Sequence, residues 1–271
     1  MPQTGRVAPD DKKREAPAPV LVAYDGSAGG RDALELARVL CDAEGARYII
    51  GASEATDELD VETHVVGTRA PAHNLIELAA SEGVGTIVVG SPHRGKLGRA
   101  LLGSVSEHLL HHAPCEVVVA PRGYASERHA RLRKIAVAYD GTDVAKDALR
   151  RAEKIAARGG AALEIIVAED IIVSGGPGGR GIAKRRSAAE VAEDAMASVD
   201  PAIETEAKVI DPGWHQVVGE VAEAIATTCG EEVDLLLLGS KTGPERLLYG
   251  SVSRRLIADA PCPVLVVQRP G

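Results

Sequence analysis

VLVAYDGS at Val20–Ser27 returns as IAVAYDGT at Ile135–Thr142: an apolar run closed by an aspartate, a glycine and a short hydroxyl residue. Three further blocks repeat in the same order. TIVVGS before Pro92 matches LLLLGS before Lys241, GSVSEHLL from Gly103 matches GSVSRRLI from Gly250, and HAPCEVVVA matches DAPCPVLVV. A chain that copies itself at this separation is two related units rather than one, and each unit must bury its own apolar strands. The spacing shows where the copies differ. Asp25 to Gly90 is 65 positions and Asp140 to Gly239 is 99, so the second copy carries 34 more. From Gly90 to Gly103 is 13 positions, whereas Gly239 to Gly250 is 11.

Within each copy, continuous aliphatic runs alternate with stretches of helical period, the pattern of a parallel sheet covered on both faces. In the first copy the strands read near PVLVAYD, ARYIIGA, VETHVV, TIVVGS and CEVVVA. Helices are expected at about Ala28–Asp42, Ala72–Glu82 and Ser104–His112. The extra material of the second copy supplies a Gly-rich loop, VSGGPGGRGIAKRRS, and a helix-like SAAEVAEDAMASV that the first copy lacks. One crossover of the first copy is therefore a short loop. Ser27, and Thr142 or Asp143, are placed to start helices, because short polar side chains satisfy the free amides there. The expected fold class is α/β, two tandem open five-stranded parallel sheets of Rossmann-like type. The expected organisation is a flexible tail at 1–17, a first domain at 18–122 and a second at 131–270, with a charged joint, RGYASERHARLR, between them.

Composition narrows the function. Of 271 residues, 45% are hydrophobic and 26% charged, the balance of a folded globular chain. Aromatics are 2%, with no Phe and one Trp, which disfavours stacking on nucleobases along a strand. The formal charge of -8 repels nucleic acid and anionic membranes on average. No apolar run has the length of a signal-peptide core or a membrane span, so a cytoplasmic location is expected. Cys41, Cys115, Cys229 and Cys262 form no close CxxC pair and read as reduced, mostly core thiols.

The loop GSPHRGKLGRALLGSVS, Gly90–Ser106, follows a buried strand and leads into a helix at Gly103-Ser104. Glycines let the main chain approach a ligand, the helix start offers amides and positive potential, and Arg94, Lys96 and Arg99 add charge. This combination suits a phosphate chain; a glycine-rich surface loop with a basic rim is the plainer reading. Asp25 and Asp140 stand at strand ends, where they would accept a bond from a sugar hydroxyl or amide, hold Mg²⁺, or shape the turn. DGSAGG is not G-x-G-x-x-G, and in the Walker-like Gly90–Lys96 run Leu97 replaces the magnesium-binding hydroxyl. His108, His111, His112 and Cys115 share a helix face, but the second copy has Arg255, Ala258, Asp259 and Cys262 there, so a helix-end cation role outweighs a metal site. Lys184–Ser187 reads as a solvated loop and Trp214 as packing. No paired carboxylates, Ser-His-Asp order or HExxH motif marks a catalyst.

These residues resemble the universal stress protein family in a two-domain form, over nearly everything from Pro19 to Gln268. The family loop, Gly, two residues, Gly, nine residues, then Gly-Ser or Gly-Thr, finds Gly90, His93, Gly103 and Ser104 here, with His93 in the second glycine's place. The resemblance implies a fold similar to adenine nucleotide alpha hydrolases and an ATP site with Mg²⁺, at most slowly hydrolytic, or else a nucleotide-free signalling domain. It assigns Asp25, Gly103, Ser104, Val105 and Ser106 to that site, and Asp140, Gly239, Gly250, Ser251, Val252 and Ser253 to the second copy, where Thr242 replaces the glycine and two loop residues are missing. It further implies pairing through the last strand, met here inside one chain, with homodimerisation still open and protein partners unidentified. Three functions follow: a nucleotide-binding module in stress or energy signalling, a nucleotide-free interaction protein, or a slow ATPase or phosphotransferase.

Overall fold

In a computed structural model of the chain, the described residues are 16–55, 60–91, 102–127, 130–168, 187–210, 218–230, 232–240 and 251–268. His93, Arg94, Lys96, Arg99, Lys184–Arg186, Trp214, Thr242, Gly250 and residues 1–15 of the tail lie outside them.

The first half runs β1 (Val20–Tyr24), α1 (Ala28–Glu44), β2 (Tyr48–Ala52), β3 (Thr63–Val65), α2 (Pro71–Ser81), β4 (Thr86–Gly90), α3 (Ser104–His112) and β5 (Glu116–Ala120). The second runs β6 (Lys134–Ala138), α4 (Asp143–Gly159), β7 (Ala162–Ala168), α5 (Ala188–Ser198), β8 (Thr205–Ile210), α6 (Val218–Cys229), β9 (Leu235–Ser240), α7 (Ser251–Asp259) and β10 (Val264–Gln268). The strands form one ten-stranded sheet in the order β3-β2-β1-β4-β5-β10-β9-β6-β7-β8. Every pairing is parallel except β5 with β10, which is antiparallel and joins the halves. Each half is thus an open α/β sheet of five strands, and each would expose its last strand without the other.

Alternation along the strands divides the core between the two faces. Val20 and Val22 belong to an apolar layer with α1, α4 and α5, whereas Leu21 belongs to one with α2, α3, α6 and α7. With no Phe available, the layers are filled by Val, Ile, Leu and Ala, and each buried branched side chain contributes about 1.5–3 kcal/mol. Connections between adjacent parallel strands need a crossover, and the extra residues of the second copy build α5 between β7 and β8. Between β2 and β3 no helix occurs among the described residues.

The helix starts follow local chemistry. Ser27 Oγ accepts from Gly30 N at 3.1 Å and Thr142 Oγ1 from Ala145 N at 3.4 Å, so Thr142, not Asp143, is the N-cap. Both turns need a left-handed residue after the aspartate, which Gly26 (φ 73°) and Gly141 (φ 77°) provide. α1 extends to Glu44, two residues beyond the expected end, because Gly45 supplies a left-handed C-cap bonded back to Cys41 O. α3 spans the expected residues, and α2 starts one residue early, at Pro71, a proline at the first turn. Cys41, Cys229 and Cys262 are buried free thiols, while Cys115, expected in the core, is half-buried just before β5.

Across the junction, Arg151 of α4 forks onto Glu44 of α1, with both bonds at 2.8 Å, and its Nε reaches Glu116 of β5 at 2.7 Å. Burial alone would lower the Arg151 guanidinium's pKa, but these two carboxylates hold it above its ordinary value.

Candidate functional site

In the first half the strand order reverses at β1, whose neighbours are β2 and β4. Connections leave the sheet on opposite sides there, and a crevice opens at the carboxyl ends of the strands. A cleft of about 950 Å³ occupies that point, near the upper end of the about 300–1,000 Å³ usual for small-molecule pockets. The β1 turn contributes Ala23–Ser27, and the start of α1 contributes Gly29, Gly30 and Arg31. The ends of β4 and the start of α3 bring Val89–Ser91 and Gly103–Ser106. Gly51, Ser53–Ala55, Val66–Thr68, Pro71 and Leu75 close the far side.

Of the sequence-derived candidates, Asp25, Gly90, Gly103, Ser104, Val105 and Ser106 come together in this one cleft. Their roles differ. The Asp25 carboxylate accepts from Ser27 N at 3.0 Å, so it shapes the turn and sits over the first turn of α1. Gly90 is required by packing: a Cβ there would lie 2.0 Å from Gly29 O, so no side chain is compatible with this approach of helix to strand. Ser106 is buried and donates to Gly90 O at 3.3 Å, tying α3 to the end of β4. Gly103 caps α3 without a side-chain bond, leaving the amides of the first turn for solvent or a ligand, and Ser104 is exposed beside them. The charged residues among the described lining are Asp25, Glu54 and Arg31, and Arg31 Nη1 donates to Gly26 O at 2.7 Å. His93 lies outside the described residues.

The second half repeats the frame. Asp140 Oδ1 accepts from Thr142 N at 3.0 Å and from Thr142 Oγ1 at 2.6 Å. Gly239 stands as Gly90 does, since a Cβ there would lie 2.2 Å from Val144 O. Ser251, Val252 and Ser253 open α7; Gly250 lies outside the described residues. The described walls, however, carry larger side chains. Val144 and Ala145 occupy the places of Gly29 and Gly30. Register puts Ile166 where the first half has Gly51, since Ala138 pairs with Ile166 as Ala23 pairs with Gly51. Val191 of α5 reaches within 3.5 Å of where a Cβ on Gly141 would be, whereas nothing lies within 4 Å of the same point on Gly26.

Gly29, Gly30 and Gly51 line the cleft and were missed as site residues. The signal was present in the copies themselves: DGSAGG faces DGTDVA.

Comparison with known proteins gives a consistent result. Residues 47–121 and 131–268 match the model described as the universal stress protein family, so β1 and α1 of the first half fall outside the matched segments. A universal stress protein of Mycobacterium tuberculosis is 26% identical over 239 residues, covering 83% of this chain and 77% of the relative. One from Thermus aquaticus is 34% identical over 143 residues, covering 50% of this chain and 98% of the relative. The crystal structure of a universal stress protein from Archaeoglobus fulgidus superposes with a TM-score of 0.63 at 21% identity, covering 93% of this chain and 97% of that one, which speaks to the fold.

Proposed function

Because this chain belongs to the universal stress protein family, we propose that its first half is a binding module for an adenine nucleotide, ATP foremost, and that occupancy reports stress or energy state to partner proteins. The observation that carries this reading is the cleft at the strand-order reversal, with uncapped α3 amides at one end and small, partly apolar walls at the other. Phosphates suit the amides of Gly103–Ser106 and the Arg31 guanidinium, and the apolar wall of Val66, Pro71 and Leu75 suits a ring system. Asp25 and Glu54 provide hard oxygen donors for a Mg²⁺ carried by the nucleotide, or acceptors for ribose hydroxyls.

Slow turnover is the secondary reading, with Asp25 and Glu54 as the carboxylates of the described lining. For the second half, with Val144, Ile166 and α5 in place, the supported reading is a unit that holds no nucleotide and works through its surfaces. We take 18–122 and 131–270 as the two domains.

Isothermal calorimetry with ATP, ADP and AMP tests this, beside Gly103→Val, whose side chain would stand over the α3 amides. Binding to the starting protein that disappears in the variant is expected. A starting protein that binds none of the three, and carries no nucleotide through purification, removes the proposal.

A further inference from the structure

The junction between the halves is isologous in backbone and heterologous in charge. In the β5–β10 pairing Val118 stands opposite Leu265, Val119 opposite Val264 and Val117 opposite Val266. Counting from Cys115 and Cys262, Val118 and Leu265 are the same position of the two copies. An approximate two-fold axis therefore passes between them, and every contact across the junction should have an image in which the copies exchange roles.

The images are chemically different. Glu44, Glu116 and Arg151 correspond to Gly159, Pro263 and Leu36 of the opposite copies. One side of the axis thus holds a half-buried guanidinium forked between two carboxylates, while its image offers only a leucine, a glycine and a proline. The correspondence is visible in space: Arg158 lies 3.8 Å from Glu44, and in the image a Cβ on Gly159 would meet Ala43 Cβ at 3.2 Å. A second feature is independent of the first. Arg254 and Glu107 occupy one and the same position of the two copies and bond to each other, at 3.3 Å, from α7 to α3.

Like pairing fails at both places. Two first halves would bury Glu44 and Glu116 of each against Leu36, with no cation, and set Glu107 against Glu107. Two second halves would bury Arg151 against Gly159 and Pro263 and set Arg254 against Arg254. Removing the partner of a buried charge is strongly unfavourable, and like charges across an axis add to it. We propose that the last-strand surface of the first half selects the second half of this chain as its partner and rejects its own kind, so that the junction is a pairing code and not merely a covered edge.

The test uses the folded full-length chain with a protease site inserted in place of residues 128–129. After cleavage, unlabelled and isotope-labelled preparations are mixed, and pairs are counted by native mass spectrometry. First–second pairs alone are expected, with like pairs roughly a hundredfold or more below random association. Arg254→Glu should raise the like-pair fraction, and the further change Glu107→Arg should return it to the starting level. Arg151→Leu should let second–second pairs appear, while Arg151→Lys, which keeps the charge, should not. Like pairs at random abundance in the starting protein, halves that separate and stay single, or a charge swap that fails to restore selectivity would each overturn the proposal.

Discussion

The two halves share a scaffold and part company at the cavity. Both close their first strand with Asp-Gly, cap the next helix with a hydroxyl, and bring a glycine at the end of β4 or β9 against the helix backbone. Where the first half leaves glycine at 29, 30 and 51, the second places Val144, Ala145 and Ile166, and it adds α5 beside the turn. The comparison separates two kinds of glycine. Gly26, Gly90, Gly141 and Gly239 are needed by the fold and occur in both copies, whereas Gly29, Gly30 and Gly51 line the cleft in one copy only, where a Cβ would meet Ser91 O at 3.0 Å, Asp25 Oδ1 at 2.9 Å and Leu75 Cδ2 at 2.5 Å. A loop glycine is therefore weak support for a ligand until the sister copy shows whether packing alone demands it.

The largest effect that would break or sharpen this picture lies at the junction. Arg151→Met should destabilise the chain by about 3 kcal/mol, because it leaves two half-buried carboxylates without their shared cation, while Leu36→Met at the image position should cost less than about 1.5 kcal/mol. Urea denaturation measures both, and equal losses would mean that the two sides of the axis are alike. Next come the shared glycines. Gly90→Ala and Gly239→Ala should each cost about 3 kcal/mol, since the new Cβ meets backbone that cannot move aside. A neutral Gly239→Ala would show that the second half is not built as the first.

A smaller loss is expected when the first half is given the second half's walls. Gly29→Val, whose Cβ meets Ser91 O at 3.0 Å, should weaken nucleotide binding at least about tenfold, roughly 1.4 kcal/mol, by calorimetry, with the circular dichroism of the fold retained. Ser27→Ala should cost about 1 kcal/mol and Thr142→Ala slightly more, as the Thr142 hydroxyl also donates to Asp140. The smallest effect is in pH. Burial pushes the Cys41 and Cys115 thiols of the first half up to about 12 from an ordinary 9.0. The folded chain then holds protons that the unfolded chain releases, so stability is unaffected below pH 8 and declines as pH rises from 9 toward 12. Cys41→Ala and Cys115→Ala, followed by thermal melts from pH 7 to 10, should flatten that decline.

Much of this was legible in the residues. The repeated VLVAYDGS and IAVAYDGT runs are continuously aliphatic, as strands buried on both faces must be, which marks β1 and β6 as interior strands of each half, and α3 begins where Gly103-Ser104 announces it. The cleft was half legible: Asp25, Gly90 and Gly103–Ser106 sit on local signals of turn and helix start. Its other wall was not, because Gly51 and Leu75 meet only after two crossovers bring β2 and α2 together. Arg151 was equally hidden. Its partners stand 107 and 35 positions away, on elements that approach only when β5 and β10 pair, and nothing in the local pattern of α4 distinguishes it from a solvated arginine. Ser106 reads as a ligand contact, yet its hydroxyl is turned inward to Gly90 O, a distinction that depends on packing.

The account rests on one half being open and the other walled by larger side chains, and the stoichiometry of ATP binding tests that most directly. Calorimetric titration of the full chain should give one site per molecule, weakened at least about tenfold by Gly103→Val and unchanged by Val144→Ala. Two equivalent sites, or a single site indifferent to Gly103→Val and sensitive to Val144→Ala, would contradict it.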